Sequence, residues 1–158
     1  MENIDYCGLS DEILSASKNW CTYDPDIPFQ YRVISKLLSE NNYDMAKRIL
    51  EANKDAFNDK YNYMILDTAI EMSINIVVDE SGQEFVIGNH YIKGKQNLKP
   101  TAATLNFIEY LLENGADPKL PEDFDQIEHI IDVERDGGQQ CGCTFDCSEL
   151  KSLIQKYM

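Results

Sequence analysis

Three cysteines near the end of the chain are the residues whose type and spacing come nearest to a chemical site. Cys141, Cys143 and Cys147 form a Cys-x-Cys-x3-Cys cluster. A structural zinc ion takes four ligands in tetrahedral geometry, so the cluster needs a fourth ligand. The spacing contains no paired Cys-x2-Cys knuckle, so we expect a cysteine-containing loop without a metal, and redox sensitivity stays open as a third alternative. The residues that could complete a metal site are His129, Asp146, Cys7 and Cys21.

Catalytic and cofactor motifs are the next features to test. The two histidines, His90 and His129, form neither His-x3-His nor His-Glu-x2-His, and neither precedes a suitably spaced nucleophile. The chain also lacks both common glycine-rich phosphate loops. Carboxylate pairs are abundant in so acidic a chain and are therefore not diagnostic. We expect a non-enzymatic protein with no cofactor, and a small enzyme that uses a Cys–His pair remains an alternative.

Net charge is the second strong feature. The chain has 28 acidic and 14 basic residues, for a formal charge of −14, and lacks a basic patch with interleaved aromatic residues. Phosphate backbones repel such a chain, so we expect no nucleic-acid partner. A solvated helix face and a surface that steers a basic protein partner both explain the most acidic stretch. In that stretch Arg135 alone opposes Glu122, Asp123, Asp125, Glu128, Asp132, Glu134 and Asp136.

Residues 104–120 carry the clearest element pattern. Leu105, Ile108, Leu111 and Leu112 fall on one face of a predicted helix. The pair Asn114-Gly115 tolerates the left-handed conformation that ends a helix, and a proline follows three residues later. The string LLENGADPK, residues 111–119, closely resembles the closing half of an ankyrin repeat.

Two further copies, and the opening half of the repeat that LLENGADPK closes, extend this resemblance. Residues 32–55 match a helix, a short turn at Asn41-Asn42 and a second helix, and MILDTAIE, residues 64–71, is similar to the ankyrin repeat opening. β-Branched and aromatic residues flank Ser81-Gly82 in IVVDESGQEFVIG, which predicts a β-hairpin, and HYIKG, residues 90–94, predicts a third strand. A degenerate copy follows, with Phe124, Ile127, Ile130 and Ile131 as its first core stripe, and residues 136–146 as a loop.

The resemblance implies a mainly α fold, an ankyrin-like stack of about three helix-pair repeats in a single domain. Its parts are an N-terminal helix at 9–20, repeat 1 at 28–58, repeat 2 at 61–120 with a hairpin insertion at 76–100, and repeat 3 at 121–158. In this family the projecting fingers and first helices bind protein partners. The residues that would face a partner are Tyr61, Tyr63, Asp67, Glu71, Asp125 and Glu128. Packing of one or both tyrosines beneath the finger is an equal alternative.

These patterns together predict a cytoplasmic protein-binding module. An odd number of cysteines without framework spacing is typical of a reducing compartment. We expect neither a secretory signal nor a membrane span, because residues 1–12 lack a basic region and no apolar run approaches 20 residues. The most specific hypothesis is an acidic inhibitor or immunity-type protein that neutralises a basic toxin or nuclease. A general ankyrin-type adaptor or host-interaction protein, and a metal-binding or cysteine-dependent protein, are the alternatives.

Overall fold

The chain is mainly helical, with one small antiparallel sheet. The computed structural model describes residues 3–20, 26–57, 61–86, 94, 97–120, 122 and 124–158, without the side chains of residues 62, 140 and 141. Residues 1–68 and 69–158 form two compact units. Within the described residues there are seven α-helices and three strands. The predicted mainly α class is therefore confirmed, and the ankyrin-like stacking of helix pairs stays a prediction.

The first unit begins with three short helices and a 3₁₀ turn. α1 (Asp11–Ser17) packs on α2 (Phe29–Ser39), which packs on α3 (Tyr43–Ala52), and the 3₁₀ turn Lys54–Phe57 follows. The residues of this unit's core lie at helical spacing, as the sequence pattern requires. They include Tyr31, Ile34, Leu37, Leu38, Ala46, Ile49 and Phe57, all buried.

Two asparagines connect α2 to α3. Asn41 has φ 56°, a left-handed conformation that asparagine tolerates better than most residues. The Asn42 side chain then accepts a hydrogen bond from the backbone N–H of Met45 and caps α3. The predicted helix–turn–helix of residues 32–55 is thereby observed, with the turn at the predicted residues.

The sheet lies in sequence between α4 (Asn62–Met72) and α5 (Ala102–Glu113), as predicted for an insertion. β1 (Ile76–Val78) pairs antiparallel with β2 (Glu84–Val86), and Gly82 has φ +86° in the turn between them. The hairpin prediction is confirmed. The third strand is β3 (Lys99–Pro100), which pairs with the other edge of β1. The predicted third strand at 90–94 lies outside the described residues, except for residue 94.

α5 ends where its sequence predicts. Gly115 has φ +98°, its N–H donates to the Leu112 carbonyl, and the Ala116 N–H donates to the Leu111 carbonyl. These two bonds form a Schellman motif, which satisfies carbonyls that the helix end leaves without intrahelical partners. Leu111 and Leu112 are both buried. With Ile108, three residues of the stripe inferred from spacing are therefore part of the core, whereas Leu105 is half-buried.

α6 (Gln126–Cys141) is longer than the sequence predicts, and α7 (Ser148–Lys156) follows it. The prediction of a loop over residues 136–146 is wrong for its first half, because the helix continues through Gly137 and Gly138. It ends at Gly142, which has φ 64°. A Cβ at residue 138 would lie 2.9 Å from the Cys143 carbonyl oxygen, and one at residue 137 would lie 3.0 Å from the Phe145 ring. The glycines thus allow the chain that leaves α6 to fold closely back onto it.

Truncation of either buried leucine of α5 should destabilise the protein. We expect Leu111→Ala and Leu112→Ala each to lower the free energy of unfolding by about 2–5 kcal/mol, because each leaves a cavity. Leu120→Ala is the matched control, since this side chain is 39% exposed and should lose less than about 1 kcal/mol. Urea denaturation measures all three. Equal small losses at the three positions would contradict the assignment of this stripe to the core.

Candidate functional site

The start of α6 is fixed by Asp125. Its carboxylate accepts hydrogen bonds from the backbone N–H groups of Ile127 and Glu128, at 2.9 and 3.2 Å, and caps the helix. Asp125 is exposed. Its capping role means that a substitution there changes helix stability as well as surface charge. Asp125 is therefore a poor position at which to test binding.

Three large apolar side chains in α6 and in the segment before it are exposed. Leu120, Phe124 and Ile131 are 39%, 37% and 45% exposed, and they are three of the five large exposed apolar residues in the described chain. Ile127 is half-buried one helical turn before Ile131, so the two share a face. The Phe124 ring packs against His129, with 5.1 Å between ring centroids. Ile127 and Ile131 thus form a short apolar strip on α6, whereas His129, two residues from each, points about 200° away from it.

The sequence analysis assigned Phe124, Ile127, Ile130 and Ile131 to one core stripe, and this assignment is wrong for Phe124 and Ile131. Of the four, only Ile130 is fully buried. Ile131 points about 100° around the helix from the buried Ile130 and lies beyond the buried side of α6.

A row of carboxylates runs beside this apolar strip. Arg135 is the single cation among them, and it binds Asp132 at 3.0 Å and Asp136 at 3.2 Å. The hydrogen bond to Asp136 is the main cause that raises the pKa of Arg135, followed by the charges of Asp136 and Asp132. Because this pair network is exposed, it is open to competition by other cations. The exposed carboxylates of the row are Glu122, Asp125, Glu128, Asp132 and Asp136.

Glu134 is half-buried and bonds within the fold, in contrast to the exposed carboxylates of this row. Its carboxylate accepts hydrogen bonds from the backbone N–H of Cys147 and from Lys151 Nζ, both at 2.8 Å. The hydrogen bond to Glu134 is the largest cause that raises the pKa of Lys151. Glu134 therefore joins α6 to the start of α7, and the sequence analysis was wrong to count it with a uniform solvated run.

A groove of about 520 Å³ opens between α6 and the segment that follows it. The groove is shallow and open to solvent, and both apolar and polar side chains line it. Ile131 forms the junction between the groove and the apolar strip. The lining residues are Ile131, Glu134, Arg135, Gly138, Gln139, Cys143, Thr144 and Phe145.

A second recess, of about 600 Å³, lies beside β3 and the start of α5. Lys99 and Glu149 approach each other to 3.9 Å at its rim, and Glu84 and Glu109 add two further carboxylates. Leu105 and other small or medium-sized apolar side chains form the apolar part of its lining. Both recesses lie within the second unit.

The cysteines of the described structure differ in chemical state. Cys143 is disulfide-bonded, whereas Cys7 and Cys147 are free thiols. Cys147 is fully buried, and desolvation, followed by the nearby charge of Glu134, raises its pKa to about 12. A thiol with this pKa stays protonated at neutral pH and is a weak nucleophile. Among the described residues, no three His, Cys, Asp or Glu side chains are grouped to hold a metal ion.

The other predicted binding residues lie on or next to α4. Tyr61 immediately precedes the helix and packs on Tyr31, with 5.8 Å between ring centroids. Tyr63 and Asp67 are half-buried and Glu71 is exposed, and these three share one face of α4 at four-residue spacing. Asp125 and Glu128 lie together in the first turn of α6. The sequence analysis missed Ile131 and the groove beside it as candidate binding features.

Substitution of Gly138 should test the close packing of α6. We expect Gly138→Ala to destabilise the protein by about 1 kcal/mol or more. The new Cβ would collide with the Cys143 carbonyl, and overpacking outweighs the roughly 1 kcal/mol that alanine gains in a helix. Gln139→Ala is the control, because Gln139 is exposed on the same helix. A gain in stability for Gly138→Ala, measured by thermal or urea unfolding, would contradict the packing described here.

The buried Cys147 thiol should make stability depend on pH. The unfolded thiol ionises near 9.0, but the folded one keeps its proton up to about 12. Since only the unfolded state loses the proton, stability should fall as pH rises above 9.0. Between about pH 8 and 10 the native protein should lose about 1 kcal/mol more than Cys147→Ala. Urea denaturation at the two pH values measures the difference, and parallel losses would show that the thiol is not buried.

Comparisons with known proteins found no match. No protein-family model, curated protein or solved structure matches this chain. Within the described residues, no helix is long and apolar enough to cross a membrane. We therefore base the functional proposal on the exposed carboxylates, the apolar strip and the groove of α6.

Proposed function

We propose that this chain is a non-catalytic protein-binding module that recognises a basic protein through the outer face of α6. The observation that carries the proposal is the position of the exposed Ile131 next to exposed carboxylates on this face. Together with the half-buried Ile127, Ile131 provides apolar area that gains from removal from water. The neighbouring carboxylates, Glu128, Asp132 and Asp136 among them, provide the charge that selects a cationic partner.

The charge of the whole chain supports fast capture of such a partner. With a formal charge of −14, the protein attracts cations from beyond the contact surface, and exposed charges interact over a screening length of about 8 Å at physiological ionic strength. Attraction of this kind raises the association rate more than it slows dissociation. A basic partner should therefore bind more slowly as salt is added.

The more specific hypothesis remains an inhibitor or immunity-type protein of the cytoplasm that neutralises a basic toxin or nuclease, built on an ankyrin-like stack. High negative charge on a small chain suits rapid neutralisation of a cationic target. A general adaptor or host-interaction protein would use the same surface. The high pKa of the buried Cys147 thiol favours a packing role for that residue over a cysteine-dependent activity.

Affinity capture with charge-matched variants tests this proposal. We expect the native protein to retain a basic protein from its native lysate. The triple variant Glu128→Gln, Asp132→Asn, Asp136→Asn should capture that protein at least several-fold less, because it loses three exposed carboxylates of α6. Quantitative mass spectrometry measures the captured proteins. With the purified partner, stopped-flow mixing should then show a lower association rate and a weaker salt dependence for the variant.

A second triple variant controls for total charge. Asp44→Asn, Glu51→Gln and Glu113→Gln remove three exposed carboxylates from α3 and α5, so both triple variants carry the same net charge. Circular dichroism should show that both remain folded. If the two triple variants capture the same proteins in the same amounts, net charge alone governs retention, and α6 is not the recognition surface.

A further inference from the structure

We propose that the groove beside α6 receives one basic amphipathic helix of the partner, with apolar residues of that helix against Ile131 and its cationic residues against the α6 carboxylates. This inference rests on the proposed function and specifies the form of the ligand. It is carried by the alignment of three features along α6: the apolar strip, the groove and the acidic row.

The length of the site fits a helix. Ile127, Ile131, Arg135 and Gln139 recur at four-residue spacing on α6 and span about 18 Å at 1.5 Å per residue, or just over three helical turns. The groove lies along the later part of this row, where Ile131, Arg135 and Gln139 line it together with Thr144 and Phe145. A partner helix that presents apolar residues at i, i+4 and i+7 would place them along this strip.

The opposite wall of the groove offers little to an added strand. Residues 143–146 meet the sheet region through one isolated bridge, between Leu98 and Phe145. The Thr144 carbonyl and the Asp146 N–H are already bonded to the backbone of Leu98. Strand addition depends on a row of main-chain hydrogen bonds, whereas a helix is recognised by side-chain anchors. The groove therefore favours a helix over an extended peptide.

The charges beside the groove select a cationic helix. Glu128 and Asp132 lie next to the apolar strip, and Asp136 follows one turn after Asp132. Arg135 lines the groove and holds Asp132 and Asp136 through exposed ion pairs. Lysines of a bound helix would compete with Arg135 for these carboxylates. Removal of the Arg135 charge should consequently strengthen binding of a basic helix, an effect that a merely structural role of Arg135 does not produce.

Two synthetic peptides test the inference on the full chain. The first is a lysine-rich helix of about four turns with leucines at i, i+4, i+7 and i+11. The second has the same composition in an order that gives no apolar face. We expect fluorescence anisotropy to show clearly tighter binding of the first peptide. Chemical-shift changes in the ¹⁵N-labelled protein should centre on Ile131, Gly138 and Thr144 and not on the recess beside β3.

Surface variants locate the binding. Ile131→Ser should weaken binding of the amphipathic peptide by roughly tenfold, because a half-exposed isoleucine loses much of its contact area. Val86→Ser, which removes another exposed β-branched side chain from the same unit, should leave binding unchanged. Arg135→Gln should tighten binding by several-fold, and added salt should reduce that gain.

The outcomes separate this inference from the proposed function. Equal binding of both peptides, reduced by the α6 charge variant, would overturn helix docking while leaving recognition of basic proteins intact. Absence of binding by both peptides, or equal effects of Ile131→Ser and Val86→Ser, would also overturn helix docking. Self-association that light scattering detects, and that Ile131→Ser abolishes, would show that a second copy of the chain occupies the face. Loss of charge-dependent capture in the lysate experiment would instead remove the proposed function itself.

Discussion

The carboxylate of Glu134 is the interaction on which the geometry of the candidate surface depends. It binds the backbone N–H of Cys147 and the ammonium group of Lys151, and so ties the middle of α6 to the start of α7. Charge-assisted hydrogen bonds in a partly buried setting are stronger and more directional than exposed ion pairs. With Glu134 bonded to Cys147 and Lys151, helical periodicity places Asp132, about 160° away around the helix, toward solvent, and Ile131 and Arg135 fall between the two. The orientation of the recognition face is thus determined by what Glu134 binds at its edge.

The close return of the chain after α6 depends on the same packing. Gly138 accepts a hydrogen bond at its carbonyl from the Cys143 N–H, and the absence of a Cβ lets the two backbones approach. This approach buries Cys143 and Phe145 with Val77 and Leu98 in one apolar cluster. The groove forms because α6 continues for about one more turn after its last charged residue. The residues that follow the helix then fold back against it. Electrostatics and packing therefore act on adjacent parts of one helix.

The acidity of the chain is divided between structural and exposed roles. Asp125 caps α6, and Asp146 accepts hydrogen bonds from Ser148, which lower the pKa of Asp146. Glu128, by contrast, remains exposed in the first turn of α6, where the positive end of the helix dipole stabilises it. A formal charge of −14 implies self-repulsion that weakens the compact state, and a cationic partner would relieve it. This relief links the stability of the chain to the partner chemistry that we propose.

The sequence by itself determined the local structure, because the signals for it lie within a few residues of each other. Asn41-Asn42, Gly115 and the turn at Gly82 mark element ends through backbone conformation and capping, and the apolar spacing of α5 marked Leu111 and Leu112 as core. Tertiary structure decided the rest. Two glycines predicted a loop, but packing against Phe145 and Cys143 keeps them helical. Likewise β3 pairs with β1 across about twenty residues, and the choice between Ile130 and Ile131 for the core depends on which face of α6 meets its neighbours. Such choices arise from contacts between distant segments, and local periodicity does not encode them.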